Sequence, residues 1–369
     1  MRLDNWHALK LGQSSGETKP LCTELSSSGA QLAVLYPNRV TILDTASQQC
    51  TSTHNFDMKH QPAVSTYLAF GTCRLAVSGE HGCVHVLTLA DGKNWQSIEV
   101  KVPVTCIAIS SDDRLLAFGT ELPIEQKPKP NHGENGSDLM IGFIDLQTFE
   151  VLGCYDQSHS DNITVLRFMP GSHNWLASGS SDGLMNIFDL SQSNEDDALQ
   201  YSINVGSTVA QIVWNATTDD SESPTWRSIT AITDDNRVLV CDRNADTLLN
   251  RVAHECADGD SELGRFLVDG FYFDADNLYL IWSTNIGVLS LDHFDTSTRK
   301  YNNQVLVTNG TTPHSDLIRQ AHFVSATNQL WTRGDDGIIT AAVVVYERDT
   351  IGRKKHPPQS KKRKRVNPY

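Results

Sequence analysis

Residues 176–190 read Leu-Ala-Ser-Gly-Ser-Ser-Asp-Gly-Leu-Met-Asn-Ile-Phe-Asp-Leu. An apolar pair and small residues lead into Asp182-Gly183. Met185 and Ile187 then alternate with polar or small neighbours before Phe188-Asp189. This pattern predicts two short strands joined by a tight hairpin. His159, seventeen residues before Leu176, opens a further predicted strand, Ile163 to Phe168. Such a unit leaves apolar faces open until like units cover them. One good unit therefore demands others, and a ring of them turns the functional question from catalysis towards binding.

Six further units can be read along the chain. The first holds Leu32 to Leu35, a Pro37-Asn38 turn and Val40 to Asp44. The second holds Val64 to Phe70, Arg74 to Gly79 and Val84 to Leu87. The third holds Val104 to Ile109, Leu115 to Gly119 and Ile141 to Asp145; the stretch around His159 is the fourth. The fifth holds Val209 to Trp214, Ser228 to Ile232 and Val238 to Asp242. The sixth holds Leu267 to Phe273, Leu278 to Trp282 and Gly287 to Asp292. The seventh holds His314, Ile318 to Phe323, Leu330 to Thr332 and Ile338 to Val345. The expected fold is all-β: a seven-bladed β-propeller over residues 1–350, followed by a disordered basic tail over 351–369. Polar insertions at Glu121 to Asp138, Ser191 to Gln200, Ala216 to Pro224 and His254 to Glu262 are expected as surface loops. Closure needs a strand from the other chain end. Trp6 to Leu11 is the one apolar stretch before the first unit, and it is expected beside the 338–345 strand.

Charge divides the chain in two. Eight of its 30 Lys and Arg fall at 353–355 and 361–365, with no acid between 351 and 369, so the tail carries +8. That leaves 22 cations against 44 acids, a body charge of −22. An acidic body and a basic tail need separate explanations. No run of about 18 apolar residues exists to span a bilayer, and the N-terminus reads as lacking a secretory signal. The eight scattered cysteines form no C-x-x-C pair and are expected to be reduced and mostly buried. The triplets at Asn135, Asn162, Asn215 and Asn309 then carry no glycosylation argument.

Several residues look chemical. His159, Ser178 and Asp182 have the composition of a hydrolase triad, but the repeat places them before the first strand, on the second strand and in the following turn. Their spacing suggests a buried network, each bond of which would contribute about 1 kcal/mol. His314, Thr332 and Asp336 recur at the same offsets, as no true triad would. Gly179 to Gly183 satisfies G-x-S-x-G, yet a hairpin between strands is not the strand-to-helix elbow that motif requires. His81, Cys83 and His85 alternate along one strand face, without a fourth zinc ligand nearby in sequence. The pairs Asp112-Asp113, Asp234-Asp235 and Asp335-Asp336 fit hairpin turns. No phosphate-cradling loop or dinucleotide fingerprint appears, so neither an enzymatic activity nor a cofactor is expected.

With these residues in place, the unit at 159–190 is similar to a WD repeat, whose third strand ordinarily ends in Trp-Asp; Phe188 stands where the Trp would be. The chain resembles the WD repeat-containing protein 89 family through Ser158 to Ile163, Ser178 to Leu184, Phe188 to Leu190 and Asn194 to Leu199. Phe118 to Glu121, Asp269 to Tyr272, Thr284-Asn285, Gly287 and the basic terminus extend the likeness. The resemblance implies an intracellular WD-repeat propeller with no assigned catalysis.

The tail is the sharpest functional signal. Lys361, Lys362, Arg363, Lys364 and Arg365, followed by Val366, resemble a nuclear import signal, with a second cluster at Arg353 to Lys355. This implies an import receptor as partner and a nuclear, even nucleolar, location. RNA contact is a further reading, because such clusters release counterions from phosphate backbones. For the body, −22 suggests basic protein clients such as ribosomal proteins or histones, met at the propeller rims and the acidic loops Glu195 to Asp197 and Asp258 to Glu262. The alternative is a scaffold or substrate receptor within a larger assembly, such as a cullin-based ubiquitin ligase. The Trp-Asp-x-Arg signature of such receptors is missing at Phe188 to Ser191, Ile144 to Gln147 and Cys241 to Asn244. Neither a membrane nor a small-molecule substrate is expected.

Overall fold

Strand-forming segments of four to nine residues follow one another along the chain and, except for Arg2–Leu9, pair with their sequence neighbours, giving seven four-stranded antiparallel sheets. The computed structural model describes residues 2–9, 19–56, 67–78, 82–90, 95–121, 140–217, 225–252, 264–307 and 314–345. Each blade is a meander. Its first strand packs against the first strands of both neighbouring blades, and these contacts close into a cycle. The first strands are Cys22–Leu25, Tyr67–Phe70, Val104–Ile109, Ile163–Phe168, Val209–Thr217, Arg265–Tyr272 and Ile318–Val324. They therefore line a central channel, and the fourth strands face outward. The chain is the expected seven-bladed propeller.

Burial follows the position of a strand within its blade. The second and third strands of blade one, Gln31–Tyr36 and Arg39–Asp44, are buried almost throughout. Side-chain alternation sends their residues to opposite faces. Ala33, Leu35, Val40 and Ile42 pack with Leu68, Leu75 and Val77 of blade two. Leu32, Val34 and Leu43 pack with Trp331, Ile339 and Ala341 of blade seven. Each fully buried Leu contributes about 2 kcal/mol. These strands consequently read as continuous apolar runs. The outermost strands differ: Cys50–Asn55 and Val151–Tyr155 are largely exposed.

Blade seven borrows its outermost strand. Arg2–Leu9 pairs antiparallel with Ile339–Val345, from Arg2 opposite Val345 to Leu9 opposite Ile339. The closing strand starts four residues earlier than the apolar stretch indicated, because an outer strand needs only backbone pairing. Lys10 and Leu11 lie outside the described residues. The insertion at Ser191 to Gln200 is likewise more ordered than a loop. Asn194 caps a short helix, Glu195–Ala198, by accepting from the Asp197 N–H, and the outermost strand Leu199–Asn204 follows directly. Ala216 and Thr217 extend a strand instead of opening a loop. In blade six the third strand starts at Leu289, since Gly287 takes φ +76° in the hairpin.

Polar bonds cross every seam between blades. Ser27 N–H donates to the Gly71 carbonyl (3.2 Å) between blades one and two. Asp113 accepts from Thr72 N–H (2.9 Å) and Cys73 N–H (2.6 Å) between two and three. Thr105 Oγ1 donates to Ile163 O (2.5 Å), and Thr164 Oγ1 donates to Val209 O (2.5 Å). Leu267 N–H donates to Asn236 Oδ1 (2.8 Å), and Ile318 N–H to Ser283 Oγ (3.0 Å). The last seam, between blades seven and one, has Thr23 N–H donating to Gln320 Oε1 (2.9 Å) and Lys19 Nζ donating to Asp335 O (2.6 Å).

Asp112 and Asp113 thus do different work. Asp112 Oδ1 accepts from Ser110 Oγ and Arg114 N–H inside its own turn. Asp113, at φ +57°, reaches blade two. Gly71 makes this approach feasible, because a Cβ there would lie 1.6 Å from Asp113 Oδ1. Asp113→Ala is expected to lower stability by about 3 kcal/mol and Asp112→Ala by about 1 kcal/mol, since only the former strands two N–H groups at a seam. Guanidinium unfolding midpoints of the two variants check the order.

Candidate functional site

His159 immediately precedes the first strand of blade four. Ser178 lies on the second strand, Trp175–Ser180, and Asp182 in the turn before the third, Leu184–Asp189. The structure brings all three together. His159 Nδ1 is 3.0 Å from Asp182 Oδ2, and its Nε2 is 2.7 Å from Ser178 Oγ. A carboxylate can only accept, so Nδ1 carries the proton and Nε2 accepts from the hydroxyl. Asp182 also receives Ser160 N–H (2.9 Å) and Leu184 N–H (2.8 Å). Blade seven repeats each bond. His314 Nδ1 lies 3.2 Å from Asp336, and its Nε2 lies 2.9 Å from Thr332 Oγ1. Asp336 receives Ser315 N–H and Ile338 N–H, both at 2.9 Å.

The order hydroxyl, imidazole, carboxylate is that of a nucleophile, base and orienting acid. Access separates the two cases. Ser178 is 0% exposed and Thr332 2%, so no substrate carbonyl reaches either oxygen. Phe188, fully buried in the Trp position, offers only apolar packing. Burial lowers the proton affinity of His159 and His314, and the facing carboxylates offset part of the effect. Burial alone would raise Asp182 and Asp336. The backbone N–H donors and the imidazoles bring both below the usual carboxylate value.

Other sequence candidates are placed as follows. His85 is buried and bonds Ser97 Oγ (3.0 Å). Cys83 is half-buried, and His81 lies outside the described residues. Among the described residues no three His, Cys, Asp or Glu side chains are grouped to hold a metal ion. The cysteines depart from the expected burial. Seven are described and free; Cys106 and Cys241 are buried, but Cys50, Cys73 and Cys154 are exposed. Cys50 and Cys154 sit on outermost strands, where no further strand covers them. In the acidic loop, Glu195 accepts from Asp156 N–H and Gln157 N–H, which leaves Asp196 and Asp197 as its exposed acids. Asp258 to Glu262 and Lys361 to Arg365 lie outside the described residues. No helix of the described residues is long and apolar enough to cross a membrane.

A charged group in the channel was not singled out from sequence. Glu24, Arg167, Gln320 and His322 all lie on first strands, those of blades one, four and seven. Arg167 Nη1 donates to Glu24 Oε1 at 2.8 Å, an ion pair between blades four and one, which are not neighbours. His322 Nε2 is 3.1 Å from Thr23 Oγ1 and Gln320 Oε1 takes Arg333 Nε (2.9 Å). Asp269, on the first strand of blade six, makes one hydrogen bond among the described residues, from Gly270 N–H (2.7 Å). Burial pushes its carboxyl up to about 7. The Gly270 N–H and the Arg167 charge oppose that rise, and Glu24 adds to it. The available signal was a charged residue at alternate positions of a predicted innermost strand, where an apolar one is the norm.

The β-propeller family described as nucleolar protein 10-like, N-terminal domain, matches residues 21–260, about two thirds of the chain. The chain belongs to this family. That it is a β-propeller family agrees with the blades seen here. An uncharacterized WD repeat-containing protein of Saccharomyces cerevisiae is 32% identical over 139 residues, covering 37% of this chain and 33% of the relative. The WD repeat-containing protein 89 homolog of Dictyostelium discoideum is 35% identical over 77 residues, 21% of each chain. The Arabidopsis thaliana WD repeat-containing protein GTS1 is 36% identical over 69 residues, 18% of each. The matched stretches thus span a third or less of these relatives. The chain is a WD-repeat protein, and its propeller is of the kind that scaffolds protein interactions.

The buried imidazoles set a pH response. An unfolded histidine takes up a proton near about pH 6.5, whereas His159 and His314 do so only at lower pH in the fold. Below about 6.5 the unfolded state binds more protons, so stability is full above that pH and falls on acidification towards the folded values. Thermal melting between pH 7.5 and 5.5 is expected to show this slope, with His293 and His322 contributing in the same direction. Asp182→Ala is expected to cost about 3 kcal/mol at neutral pH, because Ser160 N–H, Leu184 N–H and the imidazole lose a charged acceptor; a wild-type melting temperature would contradict the lock.

Proposed function

We propose that this propeller is a non-catalytic nuclear scaffold for basic proteins, ribosomal proteins or histones among them, and that its tail takes it into the nucleus. The carrying observation is the division of charge: −22 on residues 1–350 and +8 on residues 351–369. A strongly acidic body speeds encounter with cationic partners and selects for them. Its family's description as nucleolar protein 10-like supports a nucleolar place of work. The two His–hydroxyl–acid sets act as blade locks in this reading, which leaves the rims and the channel mouth for partners. Lys361, Lys362, Arg363, Lys364 and Arg365 serve as the import signal, read by an import receptor, and the same cluster is available to RNA phosphates once inside.

Replacing Lys361 to Arg365 together by Ala is expected to move a fluorescent fusion from nucleus to cytoplasm. Undiminished nuclear accumulation would overturn the import role. Affinity purification from nuclear extract is expected to recover basic proteins at low salt and to lose them steeply as salt rises, as screened charge pairs do.

A further inference from the structure

The channel group holds two carboxylates and one guanidinium that bonds only one of them. Glu24 takes Arg167 at 2.8 Å, and Asp269 is left with the Gly270 N–H alone. Arg333, the other cation at this level, donates to Gln320 Oε1 and to Pro20 O (3.2 Å), and so is held against blade one's entry. His322 is engaged with Thr23 and is kept neutral chiefly by burial. The Arg167 charge acts on both Glu24 and Asp269, and that of Arg333 on neither, so with both carboxylates ionised these three groups carry a net negative charge. Asp269 itself is only half-buried, which leaves part of it within reach of solvent from the channel.

From this arrangement we propose that Asp269 is the channel's receptor for a cationic side chain, a lysine ammonium or arginine guanidinium that a basic partner inserts between the blades. The inserted cation takes the place of the missing counter-charge. Arg167 stays on Glu24. This reading rests on the proposal that the propeller binds basic proteins, and it names the point where one basic residue is recognised apart from the general acidic field. An ionised carboxylate without a counter-ion at this depth works against folding. Burial accordingly pushes Asp269 up to about 7, well above the 3.8 it would have in water. A residue kept at the expense of stability fits a binding role better than a structural one.

The test uses the full chain, a fluorescent deca-lysine peptide and 150 mM salt, with anisotropy as readout. Asp269→Asn is expected to weaken binding by at least about tenfold, as loss of one partner of a desolvated charge pair does. Its melting temperature at pH 8 should equal or exceed that of the native chain, which shows that the loss is not misfolding. Glu24→Gln keeps Asp269 intact but releases Arg167 to it. It is expected to weaken binding to a similar degree, whereas Asp196→Asn, at an exposed acid far from the channel, is expected to leave binding unchanged; a purely additive field would treat the three alike. Tight peptide binding by the native chain with equal binding by Asp269→Asn would overturn the channel site and leave the acidic-scaffold reading standing. Failure of the native chain to bind the peptide at all would overturn both.

Discussion

Everything in this fold depends on the last seam being shut. Each blade presents apolar residues on both faces, so no blade is a finished surface. Leu32 and Val34 need blade seven as much as Leu35 and Ala33 need blade two. An open ring of seven blades would expose two such faces and a long sheet edge at once. The chain closes the ring at three radii. At the rim of blade seven, Arg2–Leu9 completes the sheet through backbone pairing. Between blades seven and one, Trp331 packs with Leu32 and Leu43. At the channel, Gln320 and His322 hold Thr23. The outer closure is generic, whereas the inner one uses particular side chains, so register is set from the channel outwards.

This closure explains why polar residues cluster where they do. Innermost strands have no further strand to pair with, and their backbone groups must find partners across seams. Thr105, Thr164, Ser283 and Asn236 serve those groups with short side chains. The His–hydroxyl–acid sets of blades four and seven meet the same need. Asp182 and Asp336 each fasten the residue after the histidine and the residue two beyond the acid, tying the incoming connection to the hairpin of its own blade. A geometry that elsewhere performs acyl transfer here satisfies donors, and burial of the hydroxyl decides between the two.

Second and third strands were legible in the sequence because burial on both faces writes an apolar run into them, as in Leu115–Thr120 and Ile141–Asp145. Outermost strands were not. Cys50–Asn55, Leu199–Asn204 and Thr247–Val252 alternate weakly or carry polar residues on both faces, so nothing in their composition separates them from loops. The locks were legible as a fixed offset repeated in two blades. The channel group was legible only in part: Arg167 and Asp269 are charges inside predicted innermost strands, but nothing in the segment around Glu24 marks it as one. Only the register of three distant strands brings them to one place.

A closed propeller with hydrogen-bonded seams has little freedom to open, so its recognition must use what the closed form already presents. The outer acidic field is long-ranged and falls with ionic strength, which gives encounter without discrimination. Discrimination requires a group that is partly desolvated and held in place. The ion pair of Glu24 with Arg167 fixes the polar centre of the bore and spans blades one and four, so its position follows from ring closure itself. Asp269 stands beside that pair without a cation of its own. An apolar residue there would fold at least as well, given the desolvation that its carboxyl bears. The same closed ring thus supplies the rigidity of a scaffold and, in its channel, a carboxylate that shares the one guanidinium beside it with Glu24.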